Sequence, residues 1–178
     1  MKLNIAEPIF DRVHEHLFQD ELEQGAFLFG TVSDGVMTID DAYLIPPTGW
    51  AVQLEVYLEM NDDERAKVMT MASKRGQSVV DCHSHPGAEN DVWFSPSDVA
   101  GIKAFAQYAR WKLRGGVYVA SVWGESSIDA VVWSDTYKEA QKLAAVEISG
   151  SNIRTLYPTG SWFREPRSYH RKYNSNDD

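Results

Sequence analysis

Asp81-Cys82-His83-Ser84-His85-Pro86-Gly87-Ala88-Glu89-Asn90-Asp91-Val92-Trp93-Phe94-Ser95-Pro96-Ser97-Asp98 places two of the chain's five histidines in one tripeptide and an acid beyond the following loop. Ser78–His85 is apolar and of strand length, and Pro86-Gly87 breaks it. Side chains two apart on a strand share a face. His83 and His85 are therefore expected to grip one cation together, with Ser84 turned away between them. Ser95-Pro96-Ser97-Asp98 starts a helix with a capping serine, proline at the first helical position and an acid in the first turn. Asp98 can then return as a third ligand. Two imidazoles and one carboxylate leave a tetrahedral zinc with an open position for water, the ligand set of a hydrolytic site and not of a structural one.

Working outward, residues 8–20 read as a helix with Ile9, Val13 and Phe18 toward the core. Residues 26–32 and 36–45 flank Ser33-Asp34-Gly35 and read as a hairpin. Residues 52–58 alternate and fit a third strand, and Asn61-Asp62-Asp63-Glu64 opens a helix that should end near Gly76. The helix begun at Ser95 runs to about Trp111. Residues 116–123 and 128–133 form another hairpin, and Tyr137 to about Val146 reads as a last helix. The order predicts an α+β fold, a three-layer α/β/α arrangement with a mixed sheet flanked by helices.

At 178 residues the chain is sized for one domain, with 43% apolar and 24% charged residues. We divide it into residues 1–148 and a basic, aromatic extension at 149–178. Residues 151–178 carry five basic against three acidic side chains, net +2, so the net charge of −9 leaves residues 1–150 at −11. That acidity argues against a general nucleic-acid binder. Cys82 is the one cysteine, so neither an internal disulfide nor a multi-cysteine zinc site can form. This usage suits a cytoplasmic location. No leader-like segment opens the sequence, and no apolar run approaches the ~20 residues of a membrane span.

A hydrolytic zinc needs a base beside it, and the candidate is Glu23, just before the apolar strand that ends at Gly30. At this point the chain resembles the JAMM/MPN+ (JAB1/Rpn11-type) zinc metalloproteases, whose pattern is a glutamate before a glycine-terminated strand, then H-x-H-P, a loop, and S-x-x-D. Here these are Glu23 with Gly30, His83-Ser84-His85-Pro86, and Ser95-Pro96-Ser97-Asp98, over about residues 20–135. The resemblance implies a cytidine-deaminase-like JAB/MPN domain with a mostly antiparallel sheet. It implies one Zn2+ per chain on His83, His85 and Asp98, with Glu23 as general base and proton donor and Ser95 stabilising the oxyanion. The chain departs from the pattern in a longer loop after Pro86 and in Ala26, where a glycine is common. It looks like a prokaryotic stand-alone member.

The implied activity is hydrolysis of the amide after the C-terminal tail of a ubiquitin-like protein. Conjugation enzymes from the same operon would be partners, in a ubiquitin-like or antiviral-defence system, with no nucleic acid or membrane involved. Trp93 and Phe94, in the cleft loop, are candidate substrate contacts. The alternative is a non-catalytic MPN-type scaffold that binds a protein partner. Ser95 can also act simply as a helix cap, and Asp98 as a helix-dipole acid. Cys82, next to His83, should point into the core and not serve as a nucleophile.

Overall fold

The computed structural model describes residues 1–134 and 139–163. The described chain is α+β, with three α-helices against a large mixed sheet. Strands β1 (Lys2–Ala6), β2 (Gly25–Ser33), β3 (Val36–Leu44), β6 (Ser78–Ser84), β7 (Tyr118–Trp123), β8 (Ile128–Trp133), β9 (Gln141–Lys142), β10 (Ala145–Ser149) and β11 (Ile153–Leu156) form that sheet. Their spatial order is β11-β10-β1-β3-β2-β6-β7-β8-β9. The pairs β1/β10, β1/β3 and β6/β7 are parallel and the other neighbours antiparallel. Strands β4 (Trp50–Gln53) and β5 (Leu58–Met60) make a separate antiparallel hairpin.

The alternation of side chains along β2 builds two cores. Ala26 and Leu28 face one side, where α1 (Glu7–Leu17) contributes Phe10, Val13 and Leu17, with Ile9 and Phe18 partly buried beside them. Phe27 and Phe29 face the other, where α2 (Asp62–Arg75) and α3 (Pro96–Leu113) bury Val68, Met69, Ala72, Ile102, Ala106 and Ala109. The sheet is thus sandwiched between helices, as the element order predicted. Register slips by one residue between Phe29 and Gly30, where a Cβ on Gly30 would lie 2.2 Å from the Thr38 carbonyl oxygen. Only glycine lets β3 approach so closely at the bulge. Helix α2 starts as expected, with Asn61 Oδ1 accepting from the Glu64 N–H at 2.8 Å, and stops at Gly76 in the left-handed region.

Several expectations are corrected. The single strand expected at 52–58 is instead the end of β4, a turn at 54–57 and the start of β5, with the turn closed by the Leu54 N–H on the Tyr57 carbonyl at 2.9 Å. Its alternation faces no sheet: Leu54 is 52% and Val56 81% exposed. The helix expected from Tyr137 to Val146 is replaced from Gln141 on by β9 and β10; residues 135–138 lie outside the described residues. Val146 and Ile148 are buried beside β1, so pairing across the fold overrides local helix propensity. Strand β1 itself was not anticipated. The division at 148/149 falls between two residues of β10, and β11 pairs with that strand in the same sheet. The remainder of the basic extension, with Tyr169, His170 and Tyr173, lies outside the described residues. Among the described residues no helix is long and apolar enough to cross a membrane.

Candidate metal centre

The site forms at the end of β6. This strand runs between β2 and β7, with Gly25 opposite His83 on one side and Val122 on the other. The His85 N–H extends the ladder to the Trp123 carbonyl at 2.9 Å, so His85 keeps the face of His83. Their rings stand 5.1 Å apart at 65°. Ser84, fully buried between them, accepts from the Gln24 N–H and donates its own N–H to the Gln24 carbonyl, both at 3.0 Å. The histidine pair is thereby fastened to the segment that carries Glu23.

Helix α3 delivers Asp98 by its own capping chemistry. Ser95 Oγ accepts from the Asp98 N–H at 3.1 Å, and Asp98 Oδ2 accepts from the Ser95 N–H at 2.6 Å, a reciprocal capping box. The same Oδ2 lies 3.5 Å from His83 Nε2 and 3.3 Å from His85 Nε2. Glu23 Oε1 lies 3.4 Å from His85 Nε2. All four side chains read from the sequence therefore meet at one point.

The electrostatics are those of a buried charged cluster. Burial works to raise Asp98, but the two imidazoles beside it win and hold its carboxyl well below the usual carboxylate range. Burial works to lower His83, and the charge of the adjoining Asp98 carboxylate outweighs it, with Glu23 adding to the rise. Glu23, 5% exposed, is pushed up to about 7, chiefly by burial; His83 opposes the shift and Asp98 adds to it. His83 Nε2 is buried and has no hydrogen-bond partner among the described residues. Such an orphan is costly unless something else satisfies it. The donor atoms of His83, His85 and Asp98 lie within 4.8 Å of one another, a grouping that can hold a metal ion.

The remaining sequence candidates divide. The Ser95 hydroxyl is the helix cap and also bonds Ser97 Oγ at 2.8 Å. Trp93 is half-buried, with its ring centroid 6.1 Å from that of His85 and the two rings edge-on, at the site's margin. Phe94 is a core residue, 6% exposed and packed edge-on to Trp162 at 5.3 Å, so it backs the site instead of lining an open cleft. Sequence reasoning missed Asp81, which shares the face of His83, accepts from the Tyr118 hydroxyl at 3.0 Å and lines a cavity of about 720 Å³ bordered by Trp50, Arg65, His83, Asp98 and Phe105. It also missed Asp129, fully buried on β8, which fastens the loop before Ser95 through Ser161. Alternation along 78–85 was the available signal for Asp81; nothing local marks Asp129.

Cys82 sits on the opposite face in the α1 core, 1% exposed, with its thiol pushed up to about 12 by burial. It should resist alkylation by iodoacetamide at pH 8 in the folded protein and react at once in denaturant. Fast native labelling, followed by mass spectrometry, would contradict this placement.

No protein-family model matches the chain, and no curated protein matches it. Among solved structures it is similar to the solution structure of protein DSY2949 from Desulfitobacterium hafniense, at 12% identity and a TM-score of 0.51, over 84% of this chain and 95% of that one. At that identity the likeness concerns the fold alone.

Proposed function

We propose that this chain is a zinc-dependent isopeptidase or peptidase of the JAMM/MPN+ type, cutting the amide after the C-terminal tail of a ubiquitin-like protein. The observation that carries the reading is the convergence of Glu23 with His83, His85 and Asp98 at the end of β6. Zinc bonds of ~2.0–2.2 Å at tetrahedral angles set donor atoms ~3.4 Å apart. The 3.3 and 3.5 Å separations of Asp98 Oδ2 from the two imidazole nitrogens suit that ion, and the unpartnered His83 Nε2 gains a partner when it binds. Zinc there would polarise the scissile carbonyl and acidify the attacking water toward a pKa of ~7.

The chain's own groups supply the proton traffic. Glu23, its carboxylate beside His85, would take a proton from the attacking water and deliver it to the leaving amine nitrogen. Its Oε1, 3.4 Å from His85 Nε2, sets the carboxylate beside the grouped donor atoms without being one of them. Ser84 and Gln24 keep base and ligands in one frame. The Ser95 hydroxyl already serves α3, so the oxyanion role implied by the resemblance requires its proton to turn from Ser97 toward substrate.

The test is direct. Chain purified without chelator should contain one zinc by elemental analysis and cleave a ubiquitin-like protein fused to a reporter peptide. Chelation should abolish cleavage and added zinc restore it. A metal-free protein that still binds such a partner would favour the scaffold alternative and end the hydrolase reading.

A further inference from the structure

Glu23 lies outside β2, and the pairing with β6 ends at Gln24, whose carbonyl accepts from the Ser84 N–H at 3.0 Å, so no ladder holds the Glu23 backbone. Segments without such bonds open easily unless side chains replace them. Here the replacement comes from the separate hairpin. The Glu23 N–H donates to the Leu54 carbonyl at 3.1 Å. The Gln53 side chain, at the end of β4, donates one Nε2 hydrogen to the Glu23 carbonyl at 3.0 Å and the other to Gln24 Oε1 at 2.8 Å. Gln24 in turn reaches Asp20 through its own Nε2 at 3.1 Å and Ser84 through its main chain. Gln53 thus uses both of its amide hydrogens on the two residues that join the Glu23 carboxylate to the histidine strand.

We propose that Gln53 is a positioning residue for Glu23, fixing the backbone from which the carboxylate is aimed at His85. It touches none of the three metal-binding side chains and acts only through the Glu23 main chain and Gln24. The proposal rests on the hydrolase reading only for its kinetic consequence. Its geometric content stands on the hydrogen bonds alone.

Gln53→Met keeps the side-chain length and removes both donors, and Gln53→Ala provides a second variant should methionine misfold. Amide exchange in the zinc-loaded full chain, read by NMR, should speed up about tenfold at Glu23, in line with the loss of one hydrogen bond. Phe27 and Leu28, deep in the ladder, should keep their wild-type rates. Zinc content should not change, and with the ubiquitin-like reporter fusion kcat should fall about tenfold at constant KM. Unchanged exchange at Glu23 in both variants overturns the proposal, as does faster exchange with undiminished kcat. A wild-type chain that cleaves nothing would end the hydrolase reading by itself, while the exchange comparison would still decide whether Gln53 holds Glu23.

Discussion

Glu23→Gln is expected to lower amide hydrolysis by about 10²- to 10⁴-fold, the usual contribution of a general base, with zinc still bound. Glutamine has the shape of glutamate but cannot accept the proton, and Glu23 is not one of the three side chains grouped to hold the ion. The same substitution has an independent signature in the metal-free protein. Burial raises the Glu23 pKa from 4.5 to about 7. Below the unfolded value both states hold the proton, and Glu23 adds no pH dependence. As pH climbs toward about 7, the unfolded chain releases the proton while the folded chain retains it, so stability from this site falls. Above that value the ionised carboxylate carries a fixed penalty, which glutamine lacks. Metal-free Glu23→Gln should therefore melt higher than wild type at pH 8, relative to their difference at pH 4. Wild-type turnover by the variant would remove Glu23 from the mechanism. A melting difference independent of pH would refute its buried, proton-holding environment.

Asp129→Ala should be the most damaging single change to stability outside the helical core. The fully buried Asp129 carboxylate accepts from the Gly160 N–H at 2.9 Å, the Ser161 N–H at 2.7 Å, the Ser161 hydroxyl at 2.5 Å and the Trp162 N–H at 3.3 Å. Ser161 Oγ then accepts from the Phe94 N–H at 3.0 Å, and the Thr159 hydroxyl donates to the Val92 carbonyl at 2.8 Å. Removing the acceptor leaves three partly buried N–H groups, of Gly160, Ser161 and Trp162, without it at up to about 1–3 kcal/mol each, so a total loss of about 3–5 kcal/mol is expected. For a domain of this size that is a fall in Tm of about 10 °C. Calorimetry gives the number, and a drop of less than 2–3 °C, about 1 kcal/mol, would show the network to be dispensable. Loosened Phe94 would also unsettle Ser95 and Asp98, so zinc affinity should decline in parallel.

The parts of the molecule that could be read in advance are those written locally. Period-two alternation over 78–85 and the Ser95-Pro96-Ser97-Asp98 cap are complete within a few residues, and they define β6, α3 and the His83, His85 and Asp98 group. What escaped depends on distant partners. Ala145-Val146 looks as suited to a helix as to a strand until Lys2 and Leu3, more than 140 residues away in the sequence, lie beside it. Leu54 and Val56 alternate like strand residues yet face solvent, because they lie in the turn that joins β4 to β5. Gln53, Gln24 and Ser84 are ordinary polar residues in sequence, and only their meeting identifies them.

The anchoring of residues 92–94 by Thr159 and Ser161 sets an order of events during synthesis. All three grouped donors have left the ribosome long before residue 161 does, yet the loop ahead of Ser95 has no clasp until that serine arrives. That loop is consequently clasped only once residues 159–161 have folded against β8 and residues 92–94.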